Sequence, residues 1–305
     1  MKCFLPLVAL LMALPQLNAE EASTTNLPPD PFGSIDDAER VGEYPIEVDR
    51  TRGAFTLDAS DGQYQPGSHF ANWFWNTKIE RWGNYYVGLL YESSRPKLGV
   101  QLRVGDSILK GYAPRTNALM AKDPMILGKA YIPKPDEYSV SMLTGDQSNV
   151  PTFQVKGIHF SPAPENEPHG QSIDGSIVLD AATATTYSEK MRYEPNEEKN
   201  CLGFWTEVED WAEWTFDITT TGKFQMSVFY GCGDGAGGSE VAIYLNDQTH
   251  EFTVSETGGF QEWKELDLGV VSLDSIGENK LAVIPKSKGE KAVMDVQKIV
   301  LTPKS

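Results

Sequence analysis

The sequence has few of the side chains on which enzymatic chemistry most often depends. Its 305 residues include three cysteines and four histidines, and the histidines follow neither zinc-binding nor catalytic-triad spacing. Carboxylates are plentiful, so their number alone does not exclude a glycosidase-like acid–base pair. Such a pair also needs a groove in which one pKa is raised, and the sequence has no long loop that would form one. We therefore expect no enzymatic activity, and a hydrolase is the least favoured alternative.

Basic residues are also scarce. Lys and Arg number 26 against 43 Asp and Glu, which gives a formal net charge of −17. No basic stripe or basic helix is present that could release counterions from a polyanion, so we expect binding neither to nucleic acid nor to anionic lipid. The acidity is more typical of a soluble exported protein than of a calcium-binding or cation-binding function.

Long hydrophobic runs are missing except at the start of the chain. Residues 1–19 carry Lys2, an apolar run from Phe4 to Leu14 and a small residue at Ala19, which is typical of a secretory signal peptide cleaved near Ala19. The apolar run is too short to span a bilayer, and no later segment approaches the length needed. We therefore expect a secreted or periplasmic protein without a transmembrane segment.

Cysteine is limited to Cys201 and Cys232 once the signal peptide is removed. In an oxidising compartment an even pair favours one disulfide, which would contribute roughly 3–4 kcal/mol for a loop of this length. The alternative is two buried thiols.

Short strand-like segments dominate the chain after residue 53, and no long helical period is present. Runs rich in Val, Ile, Tyr and Phe alternate with clusters of Gly, Pro, Asn and Asp, which predicts antiparallel β-sandwiches. Residues 20–52 contain several prolines and predict an extended, loosely held linker. Three prolines in residues 161–168 mark a domain boundary.

The two halves of the chain repeat one another in order. Five segments match: 55–59 with 177–181, 83–87 with 222–226, 100–106 with 241–247, 125–128 with 266–269, and 154–158 with 295–299. This order predicts a tandem duplication. We expect a first β-sandwich over residues 53–164, a linker over residues 165–172 and a second β-sandwich over residues 173–305.

Glycines and aromatic residues recur through the C-terminal half in a characteristic order. They stand in Gly203-Phe204-Trp205, residues 210–214, residues 222–224, residues 257–263 and the closing Met294-Asp295-Val296. With these motifs, residues 173–303 resemble carbohydrate-binding modules of families 6 and 35. Those modules are galactose-binding-like jelly-roll β-sandwiches appended to exported bacterial sulfatases and glycoside hydrolases. The N-terminal half resembles them only through the internal repeat.

The resemblance implies a glycan-binding cleft among loops at one edge of the second sandwich. The family's two stacking positions fall on Phe204 and Phe260, and its polar residue of the last strand falls on Asp295. An aromatic ring can stack on the C–H face of a sugar. Trp205 and Trp263 lie beside loop glycines and are expected to add stacking surface.

The resemblance also implies one structural calcium ion between the first and last strands of the second sandwich. The ligand positions fall on Asp180 and Gln297, and the first-half equivalents are Asp58 and Lys156. Because a lysine ammonium opposes a bound cation, no calcium is expected in the first sandwich.

These features together predict a secreted, non-catalytic carbohydrate-binding protein whose ligand is a glycan or polysaccharide. The alternative is an interaction or scaffold module that packs against an exported enzyme or a cell-envelope protein. Phenylalanine at both stacking positions favours that alternative, because phenylalanine supplies no polar donor.

Overall fold

The computed structural model describes residues 44–66, 70–117, 123–145 and 152–304. The predicted signal peptide, residues 20–43 of the predicted linker, and His69 lie outside these ranges. The expectation of an all-β, antiparallel protein is confirmed, because the described residues form twenty β-strands and no α-helix. No helix among the described residues could cross a membrane.

Nine strands lie in the N-terminal half. They are β1 (Phe55–Asp58), β2 (Gln63–Pro66), β3 (Ala71–Ile79), β4 (Gly83–Ser93), β5 (Lys97–Val104), β6 (Ser107–Pro114), β7 (Met125–Ile132), β8 (Asp136–Thr144) and β9 (Phe153–Pro162). They form two sheets, in the orders β1-β9-β4-β7 and β2-β3-β8-β5-β6. Apolar side chains from both sheets meet in one buried core, so we name this unit the N-terminal sheet pair.

Eleven strands lie in the C-terminal half. They are β10 (Ile177–Asp180), β11 (Thr185–Tyr187), β12 (Arg192–Glu194), β13 (Cys201–Gly203), β14 (Trp211–Ile218), β15 (Gly222–Cys232), β16 (Glu240–Leu245), β17 (Gln248–Thr253), β18 (Gly259–Leu273), β19 (Gly277–Ser287) and β20 (Asp295–Pro303). One sheet runs β12-β13-β20-β15-β18 with β10 also paired to β20, and the other runs β11-β14-β19-β16-β17. A second core lies between them, and we name this unit the C-terminal sheet pair.

The two sheet pairs share their central strand order and one anchoring contact. Alternation of side chains along β3 and β14 sends Trp75 and Trp214 into their respective cores. The indole N–H of Trp75 donates to the main-chain oxygen of Asp58 at 2.8 Å. That of Trp214 donates to the main-chain oxygen of Asp180, also at 2.8 Å. Each of these hydrogen bonds links one sheet of a pair to the last residue of the first strand, which lies in the other sheet of the same pair.

Matching β-bulges accompany the shared strand order. The pairing of β4 with β7 shifts directly after Val87 opposite Gly128, and the pairing of β15 with β18 shifts directly after Met226 opposite Gly269. Both glycines have a positive φ, 145° and 91°. Residues with a side chain rarely adopt such backbone angles. The bulges therefore need glycine at these two positions.

Residues 44–52 cover the outer face of the sheet β11-β14-β19-β16-β17. The Tyr44 ring packs on Trp211 and Tyr244 in a small apolar cluster outside the main core. Arg50 pairs with Glu213 at 2.9 Å. The described end of the predicted linker is therefore not loosely held. We name residues 44–52 the covering segment.

Hydrogen bonds also join the two sheet pairs directly. The buried Arg81 guanidinium donates to the main-chain oxygen of Met191 at 3.0 Å and to the hydroxyl of Thr186 at 2.6 Å. Asn84 donates from its backbone N–H to Glu165 at 3.0 Å, so the start of the predicted linker 165–172 is held in place. This junction sets Trp82, which precedes β4, beside β12.

Candidate binding site at the rim of the C-terminal sheet pair

The predicted disulfide between Cys201 and Cys232 is wrong. Both cysteines are buried free thiols, and strand β20 lies between β13 and β15, on which they stand. Two strand spacings are roughly 10 Å, which exceeds the distance a disulfide can bridge. Cys201 instead donates to Asp295 Oδ2 at 3.7 Å, and Cys232 to the main-chain oxygen of Gly233 at 3.8 Å. The alternative of two buried thiols is the one observed.

Trp205 does not offer a ring to a ligand. Its side chain is 0% exposed within the C-terminal core, and its indole N–H donates to the main-chain oxygen of Asp210 at 2.9 Å. Burial and a satisfied N–H make this tryptophan a core residue, which corrects the prediction of a stacking surface.

Phe204, the preceding residue, presents its ring at the surface. It follows β13, has a φ of 58° and is 42% exposed. The left-handed backbone turns the chain directly after the strand, so Phe204 points outward while Trp205 points inward. The ring stands edge-on to Trp82 at 5.1 Å between centroids. The Arg192 guanidinium lies 3.7 Å from the Phe204 centroid and 3.2 Å from that of Trp82, so cation–π contacts hold one side of the ring.

Phe260 and Trp263 are both half-buried on β18. The Phe260 ring packs against the core and over Gly233, where an added Cβ would lie 2.7 Å from the ring. The Phe260 ring therefore packs against the glycine-rich loop that follows β15. Of the four predicted stacking residues, Phe204 is the most exposed, and among the described residues its ring pairs with that of Trp82, not with those of the other three.

Asp295 is the first residue of β20 and lies beneath the surface that carries Phe204. We name the group of Phe204, Glu194, Lys199, Gln261 and Asp295 the rim. It is 5% exposed, and its Oδ2 accepts from Gln261 Nε2 at 3.3 Å. Burial, reinforced by the nearby Glu194 carboxylate, raises the pKa of Asp295 to about 7. At neutral pH this group therefore exchanges between a hydrogen-bond donor and an acceptor form.

Glu194 on β12 is a candidate site residue that the sequence did not reveal. It is 8% exposed, and its Oε1 accepts from Lys199 Nζ at 2.7 Å. A Cβ added to Gly203 would collide with Glu194 Oε2 and lie 3.5 Å from Asp295 Oδ1. The missing side chain of Gly203 thus leaves room for both carboxylates. No local pattern marks Glu194, because only the register that pairs it with Cys201 brings it there.

The rim therefore combines several kinds of binding group beside one exposed ring. Glu194 and Asp295 can accept hydrogen bonds, whereas Lys199 and Gln261 can donate them. A small-ligand site usually combines an apolar or aromatic surface with a small number of converging polar groups.

The residues at the predicted calcium position fit that ion poorly. Asp180 lies opposite Lys298 in the register of β10 with β20, and Gln297 is the extra residue where the pairing of β15 with β20 shifts. Calcium takes six to eight oxygen ligands and prefers carboxylates. One carboxylate and one amide beside a lysine form a weak set, so calcium stays a prediction.

A separate groove lies on the outer face of the N-terminal sheet pair. It measures about 520 Å³ and includes Phe70, Lys110, Tyr112 and Thr144 among its lining residues. Tyr112 is 65% exposed, and the ammonium of Lys97 lies 3.9 Å from its ring centroid. The two sheet pairs therefore each expose an aromatic ring, at different places.

Comparison with known proteins finds similarity in solved structures. No family model and no curated protein matches the chain. A family 35 carbohydrate-binding module from Clostridium thermocellum is 20% identical, with 42% of this chain and 98% of that chain covered and a TM-score of 0.34. A family 6 module of lichenase 5A from Cellvibrio mixtus, solved with cellotriose, is 15% identical, with coverages of 42% and 97% and a TM-score of 0.33.

A β-(1,4)-mannanase of Podospora anserina that carries a family 35 module is also similar. It is 18% identical over 43% of this chain, with a TM-score of 0.32, and the match spans 28% of the mannanase. Modules of families 6 and 35, the families that the sequence resembles, are thus among the solved structures that the comparison finds.

Proposed function

We propose that the protein is a non-catalytic carbohydrate-binding protein whose glycan site is the rim around Phe204. The observation that carries this proposal is the exposed Phe204 ring, 5.8 Å from the ammonium of Lys199, which itself donates to the buried Glu194 beside Asp295. A sugar presents both an apolar C–H face and hydroxyl groups. A ring next to fixed hydrogen-bonding groups matches both features of such a ligand.

Each residue of the rim has a separate role in this proposal. Phe204 stacks on the C–H face of one sugar ring, and Arg192 and Trp82 hold it in place. Asp295 and Glu194 accept hydrogen bonds from hydroxyl groups, and Lys199 donates one. Hydrogen bonds to charged groups contribute about 1.5–3 kcal/mol each, so a vicinal pair of hydroxyls would gain most from these carboxylates.

Titration calorimetry of the whole chain against glycans selected on a glycan array tests the proposal. Phe204→Ala is expected to weaken binding at least about tenfold, or about 1.4 kcal/mol, because the stacking surface is lost. Tyr112→Ala removes an exposed ring from the other sheet pair and is expected to leave affinity unchanged. Absence of any glycan binding, or a loss with Tyr112→Ala in place of Phe204→Ala, would refute the rim as the site.

Export belongs to the same proposal. Residues 1–19 have the composition of a signal peptide, and an acidic, strand-rich protein is suited to the periplasm or the medium. Expression of the full sequence in a bacterial host, followed by N-terminal sequencing of the exported product, is expected to show cleavage near Ala19. Retention of the uncleaved chain in the cytoplasm would contradict export.

The second candidate function is an interaction module for an exported enzyme or envelope protein. The groove with Tyr112 and Phe70 favours it, because exposed aromatic side chains are enriched in protein interfaces. A crosslinking experiment in the periplasm discriminates between the two functions. A partner whose crosslink is lost with Tyr112→Ala, in a protein that binds no glycan, would support the interaction module.

A further inference from the structure

Three side chains that commonly bind metal ions converge on strands β12, β13 and β20. They are the buried residues Glu194, Cys201 and Asp295, whose potential ligand atoms all lie within 4.8 Å of one another. Within the described part of the chain, this is the one group of three such ligands. Strand pairing fixes the three positions, because Glu194 lies opposite Cys201 and Leu202 lies opposite Val296.

Two carboxylate oxygens of this group make no hydrogen bond within the described part of the chain. Asp295 makes its hydrogen bonds through Oδ2, and Glu194 makes its hydrogen bond through Oε1. Asp295 Oδ1 and Glu194 Oε2 therefore have no hydrogen bond to the described residues, and both lie beside the position that a Cβ on Gly203 would take. Neither oxygen is among the fully buried, unpartnered side-chain atoms of the described residues, so both keep some solvent access and a cation can reach them.

The charges of the group balance those of a divalent ion. With the thiol ionised, Glu194, Cys201 and Asp295 carry three negative charges, and Lys199 beside Glu194 carries one positive charge. A divalent cation would make the cluster neutral, which matters because unbalanced buried charge is expensive. The thiol selects among such cations, since thiolate is a preferred ligand of zinc, whereas calcium takes oxygen ligands.

We propose that Glu194, Cys201 and Asp295 form a binding site for Zn²⁺ or a divalent cation of similar thiophilic character. Ligand atoms around tetrahedral zinc lie roughly 3.5 Å apart. Side-chain movements of about 1 Å would bring the three potential ligand atoms to that spacing. Three protein ligands would leave the fourth position of a tetrahedral ion to a water molecule. On binding, the thiol proton passes to bulk water and a metal–sulfur bond forms.

A coordinated divalent metal ion stabilises the thiolate form of a cysteine. This inference does not depend on glycan binding, and because a sugar would also use Asp295, its test uses the metal alone.

Cobalt substitution tests the site in the full-length protein. Co²⁺ bound by a thiolate absorbs in the near-ultraviolet through sulfur-to-metal charge transfer, whereas Co²⁺ on carboxylates or histidines does not. Wild type is expected to show this absorption at one equivalent of Co²⁺ and to lose it when Zn²⁺ displaces cobalt. Cys201→Ser is expected to abolish it, and Cys232→Ser, which changes the other buried thiol, is expected to retain it.

Calorimetry with Zn²⁺ provides the second readout. Glu194→Gln and Asp295→Asn keep the side-chain shapes and are expected to weaken Zn²⁺ binding at least about tenfold. Circular dichroism confirms that each variant is folded. The proposal is overturned if wild type shows no charge-transfer band, if the band persists in Cys201→Ser, or if Zn²⁺ affinity is unchanged in both carboxylate variants.

Discussion

The outer faces of the sheets β2-β3-β8-β5-β6 and β11-β14-β19-β16-β17 occupy matching places but meet different surroundings. In the C-terminal sheet pair the covering segment lies across this face, with Tyr44 7% exposed over Trp211. In the N-terminal sheet pair the corresponding face is open and carries the groove with Tyr112. The same strand order therefore supports either a buried or a solvent-exposed outer face.

Composition at matched strand positions explains the difference. The pairing registers align five outward positions of the two sheets: Trp211 with Asn72, Ala242 with Gln101, Tyr244 with Arg103, Ala282 with Ser141, and Ile284 with Leu143. The C-terminal set is apolar and the N-terminal set is mostly polar. Burial of an apolar outer face away from water is favourable. Residues 44–52 therefore cover this face in the C-terminal sheet pair, whereas solvent covers the corresponding face of the N-terminal sheet pair.

Removal of the Arg52 side chain is expected to lower the free energy of unfolding more than any other change proposed below. Arg52 Nε donates to the fully buried Asp210 at 2.6 Å, so Arg52→Ala leaves a buried carboxylate without its counter-ion. Such a loss costs about 3–5 kcal/mol. Arg103→Ala, on the exposed outer face of the other pair, is expected to stay within about 0.5 kcal/mol. Equal free energies of unfolding for the two variants in urea would show that the covering segment contributes little.

Truncation of Tyr44 is expected to have the next largest effect. Tyr44→Ala removes a buried ring and its hydrogen bond to Glu213, at a cost of about 2–3 kcal/mol. The control is Tyr112→Ala, which removes an exposed ring from the open face and should change stability by less than about 0.5 kcal/mol. Thermal unfolding of both variants measures the difference. A larger loss with Tyr112→Ala would contradict the open character of the N-terminal face.

Substitution of the bulge glycines tests what the two sheet pairs share. Gly128→Ala and Gly269→Ala each place a side chain at positive φ, which costs about 1–2 kcal/mol. Gly269 has no heavy atom within 4 Å of an added Cβ, whereas Gly128 has Leu109 at 3.3 Å. Gly128→Ala is therefore expected to be at least as destabilising. Neutral effects of both changes on the urea midpoint would exclude a structural requirement for these glycines.

The smallest expected effect is a pH dependence confined to the N-terminal sheet pair. Burial lowers the pKa of His159 below that of a free histidine, so the unfolded chain binds the proton first as pH falls. This contribution to stability is present above about pH 6.5 and is lost on acidification. His159→Val, which places the C-terminal residue Val300 at the matched position, should flatten the curve by less than about 1 kcal/mol. An unchanged pH profile would rule out this contribution.

Strand content and core residues were accessible from the sequence because they depend on local alternation. Trp75 and Trp214 point into their cores as period-2 alternation along a strand requires. The segments 83–87 and 222–226, which match in sequence, begin two strands of equal length, β4 and β15. Such features follow from a few neighbouring residues, so no knowledge of the tertiary structure is needed.

The proposed binding site could be predicted only in part. Phe204 and Trp205 are adjacent aromatic residues beside a glycine, and nothing in the sequence says which one faces solvent. The left-handed turn at Phe204 decides it. The disulfide prediction failed for a related reason, since the parity of the cysteines carries no information on the strand that separates Cys201 from Cys232.

The amino-acid sequence by itself determined an acidic, antiparallel all-β chain with an aromatic residue at position 204 and a carboxylate on the last strand. Alternation and turn residues act over a few positions, and they suffice for that. The tertiary structure alone decided that Glu194, Cys201 and Asp295 meet, and that residues 44–52 cover one sheet and leave the other open. These contacts join residues far apart in the chain, so they depend on strand order and register, which long-range packing selects.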